Sequence, residues 1–78
     1  MPVLVTRRSH ARRSYVLPVP HLRSWREKRS LSQHELHKLS GVSRATIIAL
    51  EGGRDAWPQT VRKLSAALKV KPEELTGR

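Results

Sequence analysis

The stretch LSQHELHKLSGVSRATIIALEGGR, Leu31 to Arg54, decides the fold of this 78-residue chain. Two short helical patterns meet in it around a single glycine, Gly41. Ser32 stands at a helix start with Glu35 three residues on. That spacing is a capping box, in which each side chain satisfies a backbone donor of the other residue. Leu36 and Leu39 form the apolar side of this first helix. Gly41 supplies the permissive backbone of a tight turn, and Val42 is placed to plug the corner. Ser43 caps the second helix, Ile47 and Leu50 face inward, and Glu51-Gly52-Gly53-Arg54 ends it. Arg44, Ala45 and Ala49 share the other side, with Ile48 beside them, where a core helix would want bulk.

The chemistry of that side points to the grooves of a duplex. An arginine near a helix start offers a two-pronged donor to guanine O6 and N7, the commonest base-specific contact. Ala45 and Ala49 let a helix approach closely and fit against a thymine methyl. Ile48 has two readings. It completes the core next to Ile47, or it contacts a thymine methyl or sugar, since an exposed branched apolar residue otherwise lacks cover. The second is preferred.

Outward from this stretch, the chain divides near Pro18–Pro20, giving a basic arm over 1–20 and a helical domain over 21–78. Arg7, Arg8, Arg12 and Arg13 in the arm are opposed by no acid. Its two β-prone runs, VLV and YVL, would pair as a hairpin that is marginal in water. An extended or disordered arm contacting phosphates or the minor groove through the four arginines is the expectation, ahead of a solubilising tail.

After Pro20, Leu22 and Trp25 share a face at i, i+3, and Ser30 ends their segment. Pro58 suits the first turn of a fourth helix, along which Val61, Leu64 and Leu68 recur. Pro72 opens a short fifth helix that Gly77 closes. The expected fold is therefore all-α with five helices. Its expected core is Leu22, Trp25, Leu31, Leu36, Leu39, Val42, Ile47, Leu50, Val61, Leu64, Leu68, Val70 and Leu75.

A formal net charge of +10 is more than solubility requires and favours a polyanion partner. Nucleic acid is favoured over a membrane surface because no basic helix carries a bulky apolar face. There is no cysteine, which excludes thiolate metal sites and disulfides. No apolar run approaches the ~20 residues of a membrane span, and the N-terminal residues lack a signal-peptide core. The chain is expected to be cytoplasmic, without a separate ligand domain.

The ordered set of motifs resembles the helix-turn-helix of the Cro and lambda-repressor family, also called the XRE family. The resemblance rests on LSQxEL, the GVS turn, an isoleucine four residues after that serine, and LExGR. It continues through WPQTVRKLSAALKVKPEEL and covers roughly residues 21–77. It implies a five-helix domain whose second helix crosses the DNA backbone while the third lies in the major groove. It further implies that Gln33 binds phosphate, that Arg26 pairs with Glu51, and that Arg44, Ala45, Ile48 and Ala49 read bases. Ser43, Thr46 and Arg54 complete the expected DNA-binding set. Gly52 departs from the family, which often has a polar residue there, so one side-chain phosphate contact is expected to be missing.

Other readings of single residues are weaker. His34 and His37 stand at i, i+3, but a metal would need a third ligand and no acidic cluster converges on them; no metal or cofactor is expected. Ser43 lacks a base and is sufficient as a cap. No glycine-rich phosphate loop opens a helix, so no enzyme activity is expected. Trp57 either folds over the fourth helix or anchors a partner. The expected function is sequence-specific binding of double-stranded DNA by a small transcriptional regulator, a repressor, with a homodimer as a possible form. The alternative is a DNA-binding antitoxin with a small protein toxin as partner; a basic protein bound to RNA or the ribosome is a third reading.

Overall fold

The computed structural model describes residues 16–77. Five helices follow one another: α1 (Leu22–Lys28), α2 (Gln33–Ser40), α3 (Arg44–Glu51), α4 (Pro58–Leu68) and α5 (Pro72–Thr76). The expected all-α, five-helix fold is the one observed. The described residues contain one isolated antiparallel bridge, between Leu17 and Ala56, and no longer strand.

Local chemistry explains where the helices begin and end. Ser32 accepts from the Glu35 N–H at 3.0 Å, and the Ser32 N–H donates to Glu35 Oε1 at 2.8 Å, closing the capping box of α2. Gly41 stands at φ 78, a left-handed conformation that a Cβ would disfavour, and turns the chain from α2 into α3. Ser43 then caps α3 by accepting from the Thr46 N–H at 3.1 Å. Pro58 opens α4 at its first position, where no donor is lost. At the other end of α4 the residue in the left-handed region is Lys69, not a glycine. Arg29 compensates there: its Nε donates to the Leu68 carbonyl at 2.8 Å, placing a cation on the negative end of the helix dipole.

The apolar residues of all five helices meet in one core. Leu22, Leu36, Ile47, Leu64, Leu68, Leu75 and Val61 are fully buried. Each contributes roughly 1.5–3 kcal/mol relative to exposure. Trp25, Leu31 and Val70 are half-buried against this cluster. Helix α2 packs on both α3 and α4, α4 on α5, and α1 on α3. Helix α3 is therefore held from two sides.

Two features of the core depart from expectation. Leu39 is 62% exposed. The inward face of α2 runs through Gln33, Leu36, His37 and Ser40, an i, i+3, i+4, i+7 line. Leu39 lies roughly 110° from the middle of that line at 100° per residue. Three polar residues occupy the face because each finds a partner. Ser40 Oγ donates to the Leu36 carbonyl at 2.7 Å and accepts from the Val42 N–H at 3.1 Å. His37 Nδ1 donates to the Val42 carbonyl at 2.9 Å, since a carbonyl only accepts. His37 is thus a brace of the α2–α3 turn.

The second departure lies before the expected boundary. Val19, assigned to the arm, is 3% exposed and belongs to the core, as does Ala56 in the loop before α4. Leu17 and Ala56 exchange N–H···O bonds of 2.7 Å in both directions. This pairing places Val19 over the helices.

Candidate nucleic-acid interface

Helix α3 divides cleanly into two faces. Ile47 and Leu50 are 0% and 3% exposed, whereas Ile48 is 48% exposed. Adjacent residues of a helix point about 100° apart, so the two isoleucines serve opposite sides. Arg44, Ala45 and Ile48 are exposed and Ala49 is half-buried. The four expected base-reading residues therefore share one outward face. The core reading of Ile48 fails, because Ile47 and Leu50 already fill that side.

The remaining expected contacts frame this face. Ser43 is exposed at the start of α3 and also donates from Oγ to Thr46 Oγ1 at 2.7 Å. Thr46 and Arg54 border one surface groove, on whose rim Trp57 and Val16 also stand. Arg54 is exposed just beyond the helix, its N–H bonded to the Ala49 carbonyl at 3.1 Å. Trp57 is 49% exposed at the start of α4. The arm arginines Arg7, Arg8, Arg12 and Arg13 lie outside the described residues.

A polar hub holds the far end of α3. Arg26 Nε donates to Glu51 Oε2 at 2.6 Å and its Nη2 to Glu51 Oε1 at 3.1 Å. The two side chains are only 12% and 7% exposed. The Glu51 hydrogen bond raises the Arg26 pKa above its ordinary value, against the opposing effect of burial. Arg26 Nη1 also donates to the Leu31 carbonyl at 2.8 Å, tying down the turn between α1 and α2. Gln33 Nε2 completes the hub by donating to Glu51 Oε1 at 3.1 Å. The Arg26–Glu51 pair matches the family pattern, but the Gln33–Glu51 bond has no signal in the sequence. The partners are 18 residues apart, and nothing local couples them.

The arrangement presents a rigid helix face of one cation, two small residues and one branched apolar residue. Hydroxyls and an amide flank it, and Arg54 stands beyond. Its geometry is suited to groove insertion. Among the described residues no group of His, Asp or Glu is placed to hold a metal ion.

The family model described as Helix-turn-helix matches residues 22–75. The chain belongs to the helix-turn-helix family. It is of the Cro and lambda-repressor type, in which α2 and α3 form the DNA-binding pair. A relative in Bacillus subtilis (strain 168), the uncharacterized HTH-type transcriptional regulator RghRB, is 43% identical over 56 residues. The HTH-type transcriptional repressor RghR of the same organism is also 43% identical over 56 residues. Each alignment covers 69% of this chain but 40% and 42% of the respective relative, so the chain spans about two fifths of their length. Among solved structures, the restriction-modification controller protein C.AhdI from Aeromonas hydrophila superposes with a TM-score of 0.66 at 38% identity. That match covers 70% of this chain and 85% of the other. No helix among the described residues is long and apolar enough to cross a membrane.

Proposed function

We propose that this helix-turn-helix protein binds specific double-stranded DNA sequences and regulates transcription as a repressor, by occupying its operator. The observation that carries the reading is the uncovered face of α3. Arg44, Ala45, Ile48 and Ala49 stand together on it, while Ile47 and Leu50 anchor the same helix in the core. Arg44 donates to a guanine, Ile48 and the alanines meet thymine methyls, and the helix lies in the major groove. Gln33, Ser43, Thr46 and Arg54 contact the phosphate backbone and set the register. The four arm arginines add phosphate contacts from outside the helical unit.

The sign of regulation follows the relative named a repressor, RghR. The named relatives are regulators, which favours a plain regulator over an antitoxin with a toxin partner. Such a protein works in the cytoplasm, beside the DNA. One domain reads one half-site, so a homodimer on a two-fold symmetric operator is part of the proposal, with half-site centres roughly 34 Å or one helical turn apart. Selection of bound duplexes from a random pool tests it. An inverted repeat with G·C and T-containing positions in each half supports the reading. Enrichment no better than for random duplex would sink it.

A further inference from the structure

We propose that Glu51 is a positioning residue for the DNA backbone: it holds the Gln33 amide so that this amide donates to a phosphate. The inference rests on the proposed contact between Gln33 and DNA, and it explains how α3 and α2 act as one unit in making that contact.

A glutamine side chain ends in two groups of nearly equal size and opposite hydrogen-bonding character. Turned one way it offers two N–H donors, and turned the other way it offers an acceptor that a phosphate would repel. An unrestrained glutamine samples both. Here one end is decided by chemistry. Glu51 Oε1 only accepts, so the group that meets it at 3.1 Å is the Gln33 nitrogen. One N–H is used in that bond. The second has no acceptor among the described residues, and Gln33 is half-buried at the first position of α2. The helix that presents this N–H is the one that crosses the DNA backbone in this family.

The charge of Glu51 would by itself oppose this role, because a free carboxylate next to DNA repels phosphate. Arg26 removes the conflict. Its two donors occupy both carboxylate oxygens, at 2.6 and 3.1 Å, and its third bond to the Leu31 carbonyl fixes it in place. The hub therefore presents little net charge to a phosphate and keeps only its directional effect on the amide.

The test uses Gln33→Ala in two backgrounds, the unaltered chain and Arg26→Met/Glu51→Met. Replacing both partners of the pair by apolar residues of similar size spares the fold, because no buried charge is left alone. Thermal melts of all four proteins verify folding, and affinity for a selected duplex and for its base-substituted variants is measured across a salt series. In the unaltered background Gln33→Ala weakens binding about tenfold, on every duplex sequence alike. The slope of log affinity against log salt stays the same, because an amide releases no counterion. In the Met/Met background the same substitution changes affinity by less than about twofold, since the amide has already lost its orientation. Equal losses in both backgrounds would overturn the proposal by showing that Gln33 finds phosphate unaided. So would no loss in either, which removes Gln33 from the interface. Failure of the DNA-binding reading looks different, because the unaltered protein would then bind no duplex selectively.

Discussion

Arg44 and Glu35 show how far one side chain decides behaviour. Arg44 is exposed at the first position of α3, beside two alanines that allow close approach. Arg44→Ala is expected to cost ~1–3 kcal/mol at one G·C pair and to relax the preference there. Titrations against operators varied base by base check it; an equal loss on every sequence would make Arg44 a phosphate contact. Glu35 carries a pH dependence. Its pKa lies below the ordinary 4.5, first because the Ser32 backbone N–H bonds its carboxylate and second through the Ser32 side chain. A depressed folded pKa means stability that is present above the ordinary value and is lost as pH falls through the folded one. Glu35→Gln keeps the capping geometry and does not titrate. The melting temperature of the unaltered protein, relative to this variant, should therefore decline as pH drops below the ordinary 4.5, while remaining level above neutrality. A difference independent of pH would mean that the box carries no charge-dependent stability.

At the scale of elements, the hub around Glu51 ties α1, α2 and α3 together beside the apolar core they share. Arg26 and Glu51 are nearly buried, so a partner left alone is the costly state. Either single substitution to methionine should destabilise by roughly 3–5 kcal/mol, and exchanging both should recover most of that loss. A double-mutant cycle by thermal melting measures the coupling, and a coupling near zero would show that water already shares the pair. The same logic explains α2. Its inward face accepts Gln33, His37 and Ser40 because each is hydrogen-bonded, and this displaces Leu39 outward. Polar satisfaction, rather than apolar count, oriented this helix.

For the whole molecule, the distribution of charge separates stability from binding. Four of the sixteen basic residues fall within residues 1–15, which contain no acid. Removing residues 1–15 should flatten the plot of log affinity against log salt by ~2–4, at about 0.9 for each phosphate that the arm no longer neutralises. Base preference should persist, because phosphate contacts position and base contacts specify. Thermal stability should hardly change. Val19→Ala, a few residues further on, should do the reverse. It removes buried methyls from a site 3% exposed and should cost ~2 kcal/mol with the salt slope intact. Measuring both variants by melting and by salt titration separates arm from core. An unchanged salt slope after truncation would remove the arm from the DNA interface.

The sequence alone determined the elements and their order, because those signals are local. The Ser32–Glu35 box, the Gly41 turn, the Ser43 cap and Pro58 each act within a few residues of themselves, and the helix starts and the α2–α3 turn follow them. It also placed Arg44, Ala45 and Ala49 opposite Ile47 and Leu50 by helical periodicity, whereas the outward place of Ile48, open in the sequence, was decided by the fold. Only the tertiary structure decided which residues outside those patterns join the core or the hub. Val19 is buried because Leu17 pairs with Ala56, which lies beyond three intervening helices. Gln33 meets Glu51 only once α2 and α3 have packed, and Leu39 is left outside by the polar partners that α2 finds there. The physical reason is range. Caps and turns are settled by bonds between near neighbours, whereas burial and long-range hydrogen bonds depend on where every other helix comes to rest.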